Sequence, residues 1–384
     1  MKVAALKETI PGERRVALAP GNVAALAKAG LGVVIEAGAG AAAGFADDAY
    51  RDKGAEVVSS AREACQADIL LHVRAVDGRG QPAIGDLGQY RRGQIVIGLC
   101  DPLGQPHAIR ELAETGITLF ALELVPRITR AQSMDVLSSM ATLAGYRAVL
   151  LAAVEVPKMF PLMMTAAGTL TAAKVFVLGA GVAGLQAMAT AKRLGAVVRG
   201  YDLRPACKEQ VESVGGKFVD LGLETGDAQD AGGYAKAQAE DFYNRQRELL
   251  GKIVADSDVV ITTAAIPGKP APLLVTEEAV AAMQPGSVIV DLAAERGGNC
   301  ALTKADQRVA AHGVTILGPT NLPAEVPLHA SQMFGNNVSA FVKLLAPKGQ
   351  LELNREDEII RETMVAHEGQ VVHPRLAALL GASV

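Results

Sequence analysis

Short apolar runs alternate with stretches of helical spacing from the first residues of the chain onward. Val3–Leu6, Val33–Ile35, Ile69–Val73, Ile95–Leu99 and Thr118–Leu122 read as strands, and Gly21–Ala29, Ala61–Gln66 and His107–Thr115 repeat apolar residues at helical intervals between them. Strands alternating with helices predict βαβ units and a mostly parallel sheet, whose strands are buried on both faces and so are continuously apolar. From Met134 to Val154 no proline and few polar residues interrupt the pattern, which predicts one long helix. The alternation then repeats in Lys174–Leu178, Val197–Tyr201, Lys217–Val219, Val259–Thr262, Val288–Asp291 and Thr315–Leu317. That is the strand content of a complete doubly wound fold. A last helical run, Ser331–Leu345, is long enough to return to the first lobe. The pattern therefore predicts an α/β chain of two doubly wound parallel-sheet domains joined by long helices.

Composition narrows the function classes. Half of the 384 residues are hydrophobic, so a large core can form without disulfides or metals. The net charge is −4 and no basic run stands out, which excludes a nucleic-acid footprint. Cys65, Cys100, Cys207 and Cys300 are scattered, with no paired spacing and no histidine cluster, so they read as reduced, buried thiols with no metal site. The N-terminal MKVAALKETIPGERR lacks the apolar core of a signal peptide. The longest uncharged stretch, Met159–Ala173, is broken by Pro161 and Gly168 and falls short of the roughly 20 apolar residues of a membrane span. These features predict a soluble, cytoplasmic chain.

The strongest motif is Gly179-Ala180-Gly181-Val182-Ala-Gly184, which follows the strand AKVFVL and opens the helix GLQAMATAKRLG. In that context the first glycine makes the tight turn, the second admits a pyrophosphate to the backbone, and the third lets helix and strand pack closely. The helix N-terminus adds N–H groups and a favourable dipole for phosphate. Asp202, followed by Leu203, closes the next strand in VVRGYDLRP. A carboxylate there accepts hydrogen bonds from the ribose hydroxyls and repels a 2′-phosphate, which selects NAD(H). Arg204 carries the opposite reading, since a cation nearby could hold that phosphate. The run Thr262–Gly268, with Ala264 and Ala265, leaves room for an adenosine wall. These features make residues 137–326 a Rossmann domain for NAD(H). They leave 1–136 plus 327–384 as a Rossmann-like domain without a dinucleotide fingerprint.

Two further segments carry polar chemistry. Arg127, Gln132, Asp135 and Ser138 bring a cation, an amide, a carboxylate and a hydroxyl to the start of the long helix. Such a set suits a nicotinamide carboxamide and ribose, and it suits equally a helix cap with a solvated arginine. Leu221–Ala235 is polar, glycine-rich and without apolar period, and reads as a lid anchored by Tyr234 or as an idle loop.

RRVALAP, PRITRAQSMDVLSSMATLAGYRAV, MMTAAGTLTAAKVFVLGAGVAGLQA, YDLRP and IVDLAAERGGN resemble the alanine dehydrogenase/transhydrogenase family over nearly the whole chain. Within the family the resemblance is to the NAD(H)-binding component of proton-translocating nicotinamide nucleotide transhydrogenase. That resemblance implies that Arg127, Gln132 and Asp135, with Ser138 beside them, hold the nicotinamide end of NAD(H), and that Tyr234 sits on a mobile loop. It also implies a homodimer attached peripherally to the inner membrane. One partner subunit would bind NADP(H) and another would span the membrane, and hydride transfer between NADH and NADP+ would be coupled to proton movement.

The rival within the family is alanine dehydrogenase. Its resemblance to this chain places its substrate-carboxylate arginine at Arg15 and its lysine at Arg74. Its catalytic histidine falls near Leu99 and its active-site aspartate at Glu295. Leucine cannot transfer a proton, so the acid–base apparatus of that reaction is missing. Hydride passing between two nicotinamide rings needs none. A non-catalytic NAD-binding protein that kept the fold remains the reading from another class.

Overall fold

A computed structural model describes residues 1–77, 79–223, 240–266 and 268–381. The chain divides into two units, residues 1–140 with 323–384, and residues 141–322. The division falls inside the helix Val136–Glu155, the long helix expected from the uninterrupted apolar run.

The first unit is built on an eight-stranded sheet. From one edge its strands run Gln370–Val371, Met364–His367, Thr118–Ala121, Ile95–Leu99, Ile69–Arg74, Lys2–Ala5, Gly32–Glu36 and Glu56–Val58. The six strands from the N-terminal part of the chain are all parallel, and the two C-terminal ones are antiparallel. Numbered by sequence, the parallel part has the order 3-2-1-4-5-6 of a doubly wound sheet. Each face is covered: Ala4, Leu70, Val96 and Leu119 point into one core with Ile109 and Leu112. On the same sheet Phe120 meets Phe341 of the helix Pro327–Leu345, with ring centroids 5.4 Å apart, edge to face. Alternate residues of one strand thus feed different cores, which is why these strands are apolar throughout.

The second unit repeats the plan. Its seven-stranded sheet runs Lys217–Phe218, Val197–Tyr201, Lys174–Leu178, Val259–Thr262, Val288–Asp291, Val314–Leu317 and Arg308–Ala311, parallel except for the last. Val175, Val177, Val259 and Ile261 enter one core, and Phe176, Leu178 and Val260 enter the other. Each fully buried side chain of this kind stabilises the unit by about 1.5–3 kcal/mol.

Several elements lie outside the sequence expectation. The strands Glu56–Val58, Arg308–Ala311, Met364–His367 and Gln370–Val371 were not anticipated, nor was the hairpin Met163–Thr165 with Gly168–Leu170. All six hairpin residues are exposed, Met164 by 80 %. Among the described residues one helix, Val136–Glu155, is long and apolar enough to cross a membrane by length and composition alone. Core helices of soluble proteins pass the same test.

Candidate functional site

In the second unit the strand Lys174–Leu178 runs directly into Gly179, whose φ of +99° is a conformation glycine adopts without strain. A Cβ on Gly179 would press on the Thr263 hydroxyl, and one on Gly184 would land on the carbonyl of Gly179. The first and third glycines are therefore demanded by the packing of strand, turn and helix. The middle one is not. Gly181 is exposed, caps the helix Val182–Arg193, and a Cβ there would meet no atom within 4 Å. The protein itself has no use for a bare backbone at Gly181, whereas a phosphate approaching the free N–H groups of the first helical turn does. This open approach is the feature that fits a dinucleotide pyrophosphate.

Asp202 follows the strand Val197–Tyr201 and is 9 % exposed. Its Oδ2 accepts the N–H of Ala180 at 2.7 Å, which ties the carboxylate to the glycine turn. The Arg204 side chain donates Nε to Oδ1 and Nη2 to Oδ2, each at 2.9 Å, and the Arg204 backbone N–H adds a further 2.9 Å bond to Oδ1. Burial alone would raise the carboxyl pKa. The guanidinium and the backbone N–H groups outweigh it and hold the pKa below the usual aspartate value. The two residues that the sequence set up as rival determinants of cofactor choice are thus paired with each other.

The adenosine wall is held from behind by a network that the sequence reading missed. Thr262 donates its hydroxyl to Asp291 at 2.8 Å, and Asp291, fully buried, also accepts the N–H groups of Ala293, Asn299 and Cys300 and the Thr303 hydroxyl. Asn299 in turn brackets Ala264, accepting its N–H at 3.0 Å and donating to its carbonyl at 2.9 Å. Ala264 is half-buried and Ala265 exposed, so the clamp presents small side chains at the end of the strand Val259–Thr262. The signal was present in the motif IVDLAAERGGN, whose aspartate and asparagine are the two clamping groups.

In the first unit Thr129–Met134 forms a 3₁₀ turn before the long helix. Arg127 and Gln132 are exposed, while Asp135 and Ser138 are half-buried. Asp135 accepts the Ser138 N–H at 2.9 Å and its hydroxyl at 2.6 Å, so it caps the helix Val136–Glu155. The capping reading of Asp135 is therefore correct, and it leaves a role toward a ligand untouched. Asn337 donates to the Ser133 carbonyl at 2.8 Å and fixes this turn to the helix Pro327–Leu345. Tyr234, the expected anchor of a lid, lies outside the described residues.

The positions that resemble the alanine dehydrogenase apparatus lie mostly at the carboxyl edge of the first sheet. Arg15 is 2 % exposed and pairs bidentately with Glu13 at 2.7 and 2.6 Å. Arg74 reaches the same carboxylate at 3.7 Å. Leu99 ends its strand with no group able to move a proton. Glu295 lies in the second unit, in the short turn Ala294–Arg296. Beside Arg15, Glu8 accepts the N–H groups of Val73 and Arg74, and burial pushes its carboxyl up to about 8. His72 is 2 % exposed, and burial pushes its imidazole down to about 4.

Comparison with known proteins agrees with this geometry. Residues 4–144 match the family model described as the alanine dehydrogenase/PNT N-terminal domain, and residues 148–374 match its C-terminal domain. The chain is 47 % identical over 386 aligned residues to the first of the separately encoded pieces of the NAD(P) transhydrogenase alpha subunit of Rhodospirillum rubrum, covering 98 % of this chain and 99 % of that one. It is 30 % identical to alanine dehydrogenase of Mycobacterium tuberculosis, covering 99 % and 97 %. Among solved structures, the transhydrogenase from Sinorhizobium meliloti superposes with a TM-score of 0.83 at 44 % identity, covering 97 % of this chain and 99 % of that one. Two α/β units, a glycine turn built around an open Gly181, and similarity along the full length lead to one conclusion: the chain belongs to the alanine dehydrogenase/PNT family and, within it, to the transhydrogenase alpha-subunit group.

Proposed function

We propose that the chain is the NAD(H)-binding subunit of a proton-translocating transhydrogenase, working with partners that hold NADP(H) and span the membrane. The observation that carries the reading is the open backbone at Gly181 beside a buried, ionised Asp202, together with the absence of a second glycine fingerprint in the sequence. One fingerprint means one dinucleotide per chain, so the second nicotinamide arrives on another protein.

NAD(H), when bound, supplies or accepts a hydride at its nicotinamide ring, and the NADP(H) of the partner is the other party. The pyrophosphate is taken by the N–H groups from Gly181 to Gly184, the ribose by Asp202, and the adenosine is bounded by Leu203, Ala264 and Ala265. Arg127, Gln132, Asp135 and Ser138 orient the nicotinamide end and keep water from it. No proton is released or taken up at the rings, and Leu99, where the rival dehydrogenase has its histidine, is consistent with that balance. The exposed hairpin Met163–Leu170 supports a homodimer. A two-stranded ribbon is marginal alone, and a second copy presenting the same edge gives it a partner across a two-fold axis.

The test is stopped-flow absorbance with a spectrally distinct NAD analogue. The chain alone should transfer hydride to an NADP-type acceptor negligibly. Addition of a separately purified NADP(H)-binding transhydrogenase domain should switch on rapid exchange without membrane. A mixture no faster than the chain alone overturns the assignment, and NADH oxidation by pyruvate with ammonia at about 1–10³ per second would restore the dehydrogenase reading.

A further inference from the structure

We infer that Arg204 is an internal competitor for the ribose site, a specificity-determining latch that the ribose diol must displace from Asp202. The inference rests on the reading of Asp202 as the ribose acceptor. The geometry is an occupancy problem. An ionised carboxylate offers about four acceptor positions. In this structure Asp202 receives Ala180 N–H and Arg204 Nη2 on Oδ2, and Arg204 N–H and Arg204 Nε on Oδ1. The two backbone donors belong to the glycine turn and to the chain two residues on, and they cannot leave without unmaking the site. The two side-chain donors can. A ribose 2′,3′-diol needs two acceptor positions on the same carboxylate, one on each oxygen. Those positions are the ones the guanidinium fork fills.

Binding is therefore an exchange: two Arg204 bonds are released and two ribose hydroxyl bonds replace them. Apparent affinity is lowered by the fraction of molecules in which the latch is open. The side chains of Arg204 and Asp202 are 17 % and 7 % exposed, enough for the fork to swing outward while the carboxylate stays in place. The latch also keeps Asp202 ionised and aimed at the turn before any ligand arrives, so the site is organised without being vacant. A ligand that lacks the diol cannot displace the fork, and discrimination for an intact ribose follows from the exchange itself.

Adenosine is the clean probe, because it carries the diol and no charge that Arg204 could attract. Affinities of the full-length protein for adenosine, 2′,3′-dideoxyadenosine and NADH should be measured by calorimetry or ligand-observed NMR. Arg204→Met should bind adenosine about three- to tenfold more tightly than the unaltered protein, the range of a partly exposed ion pair removed. Dideoxyadenosine should bind both proteins alike. Raising salt from low to moderate should tighten adenosine binding in the unaltered protein, because salt weakens the competing ion pair, and should leave Arg204→Met unchanged. Arg204→Lys keeps the charge but loses the fork, and should fall between the two. It is the variant to use if the methionine protein does not fold. Equal or weaker adenosine binding in the variants overturns the latch and makes Arg204 a supporting residue. A different result, no preference of the unaltered protein for adenosine over dideoxyadenosine, overturns the ribose role of Asp202 instead.

Discussion

In their parallel strands the two units share one order, 3-2-1-4-5-6, yet they use the carboxyl edge of the sheet in opposite ways. In the second unit the first strand turns at once into a helix, and the crevice beside it holds bare backbone at Gly181. In the first unit the connection from Lys2–Ala5 to the helix Pro20–Lys28 is long and charged. It fills the corresponding edge with Glu8, the Glu13–Arg15 pair, and His72 and Arg74 from a neighbouring strand. A doubly wound sheet offers a ligand crevice wherever its strand order reverses. Whether that crevice takes a phosphate is decided by the first connection alone. A short glycine turn leaves N–H groups open, and a long acidic loop covers them with its own carboxylates. Topology supplies the place and local sequence supplies the chemistry.

The comparison breaks most visibly at Gly184. Its replacement by valine drives a side chain into the Gly179 carbonyl, which neither the helix nor the strand can relieve. NADH binding should fall more than about a hundredfold, or about 3 kcal/mol, and the unfolding midpoint should drop with it. Gly181→Val, by contrast, meets nothing in the free protein. It should retain the midpoint and lose binding of similar size. Equal midpoints for the two variants would show that the third glycine is not a packing requirement.

In the first unit the same experiment gives the opposite pattern. Arg15→Ala leaves the Glu13 carboxylate, fully buried, without its bidentate partner. Breaking a buried pair costs about 3–5 kcal/mol. Calorimetric unfolding should show that loss while NADH affinity changes little. A Glu13→Gln, Arg15→Met double variant should recover most of it, because no charge is left unpaired. Loss of NADH binding in Arg15→Ala at temperatures where it remains folded would give this edge a role in cofactor capture.

Asp202 sharpens the comparison at a smaller scale. Asp202→Ala removes the carboxylate that repels a 2′-phosphate and releases Arg204 to meet one. The preference for NADH over NADPH should narrow by about 1.5–3 kcal/mol, the size of one hydrogen bond to a charged group. Equal affinities in the unaltered protein would remove the NAD(H) reading. An unchanged gap in the variant would move the source of selectivity elsewhere.

What the sequence made legible follows from the same physics. Strands such as Lys174–Leu178 and Ile95–Leu99 were readable to the residue because burial on both faces leaves an unbroken apolar run. The missed strands share another cause. Arg308–Ala311 turns into its neighbour through His312 and Gly313, and Met364–His367 into the next through Glu368 and Gly369. In both pairs the two turn residues have positive φ. That is the tight hairpin turn usually announced by asparagine–glycine. With histidine or glutamate in the asparagine place, the announcement is absent. The site shows the same division. The glycine turn is a local motif and could be read directly. The Asp202–Arg204 pairing and the Asn299 bracket on Ala264 are not properties of spacing, and only the folded chain displays them.

The smallest effect separates the units by pH. Glu8 keeps its proton in the folded protein up to about 8, chiefly through burial, while the unfolded chain releases it near 4.5. Between those values the folded state holds the extra proton, so stability falls as pH rises. His72 works in the other direction, because burial lowers its pKa from 6.5 to about 4. The unfolded state then binds the proton first, and stability falls as pH drops through that range. The two oppose each other from 4.5 to 6.5. Above 6.5 the His72 contribution is constant. The decline then belongs to Glu8, joined up to about pH 7 by Glu123, whose carboxyl burial raises in the same unit. Asp202 lies on the opposite side: its lowered pKa gives stability that is lost only in acid, as pH falls through the ordinary aspartate range and below it. Unfolding free energy measured in denaturant should therefore decrease from about pH 6.5 to about pH 8 by on the order of 1 kcal/mol. Glu8→Gln, which keeps a hydrogen-bonding head and loses the titration, should flatten most of that slope and leave the acid limb alone. A variant whose alkaline slope matches the unaltered protein would mean that Glu8 is ionised at neutral pH, and that the first unit's edge is organised around its charge.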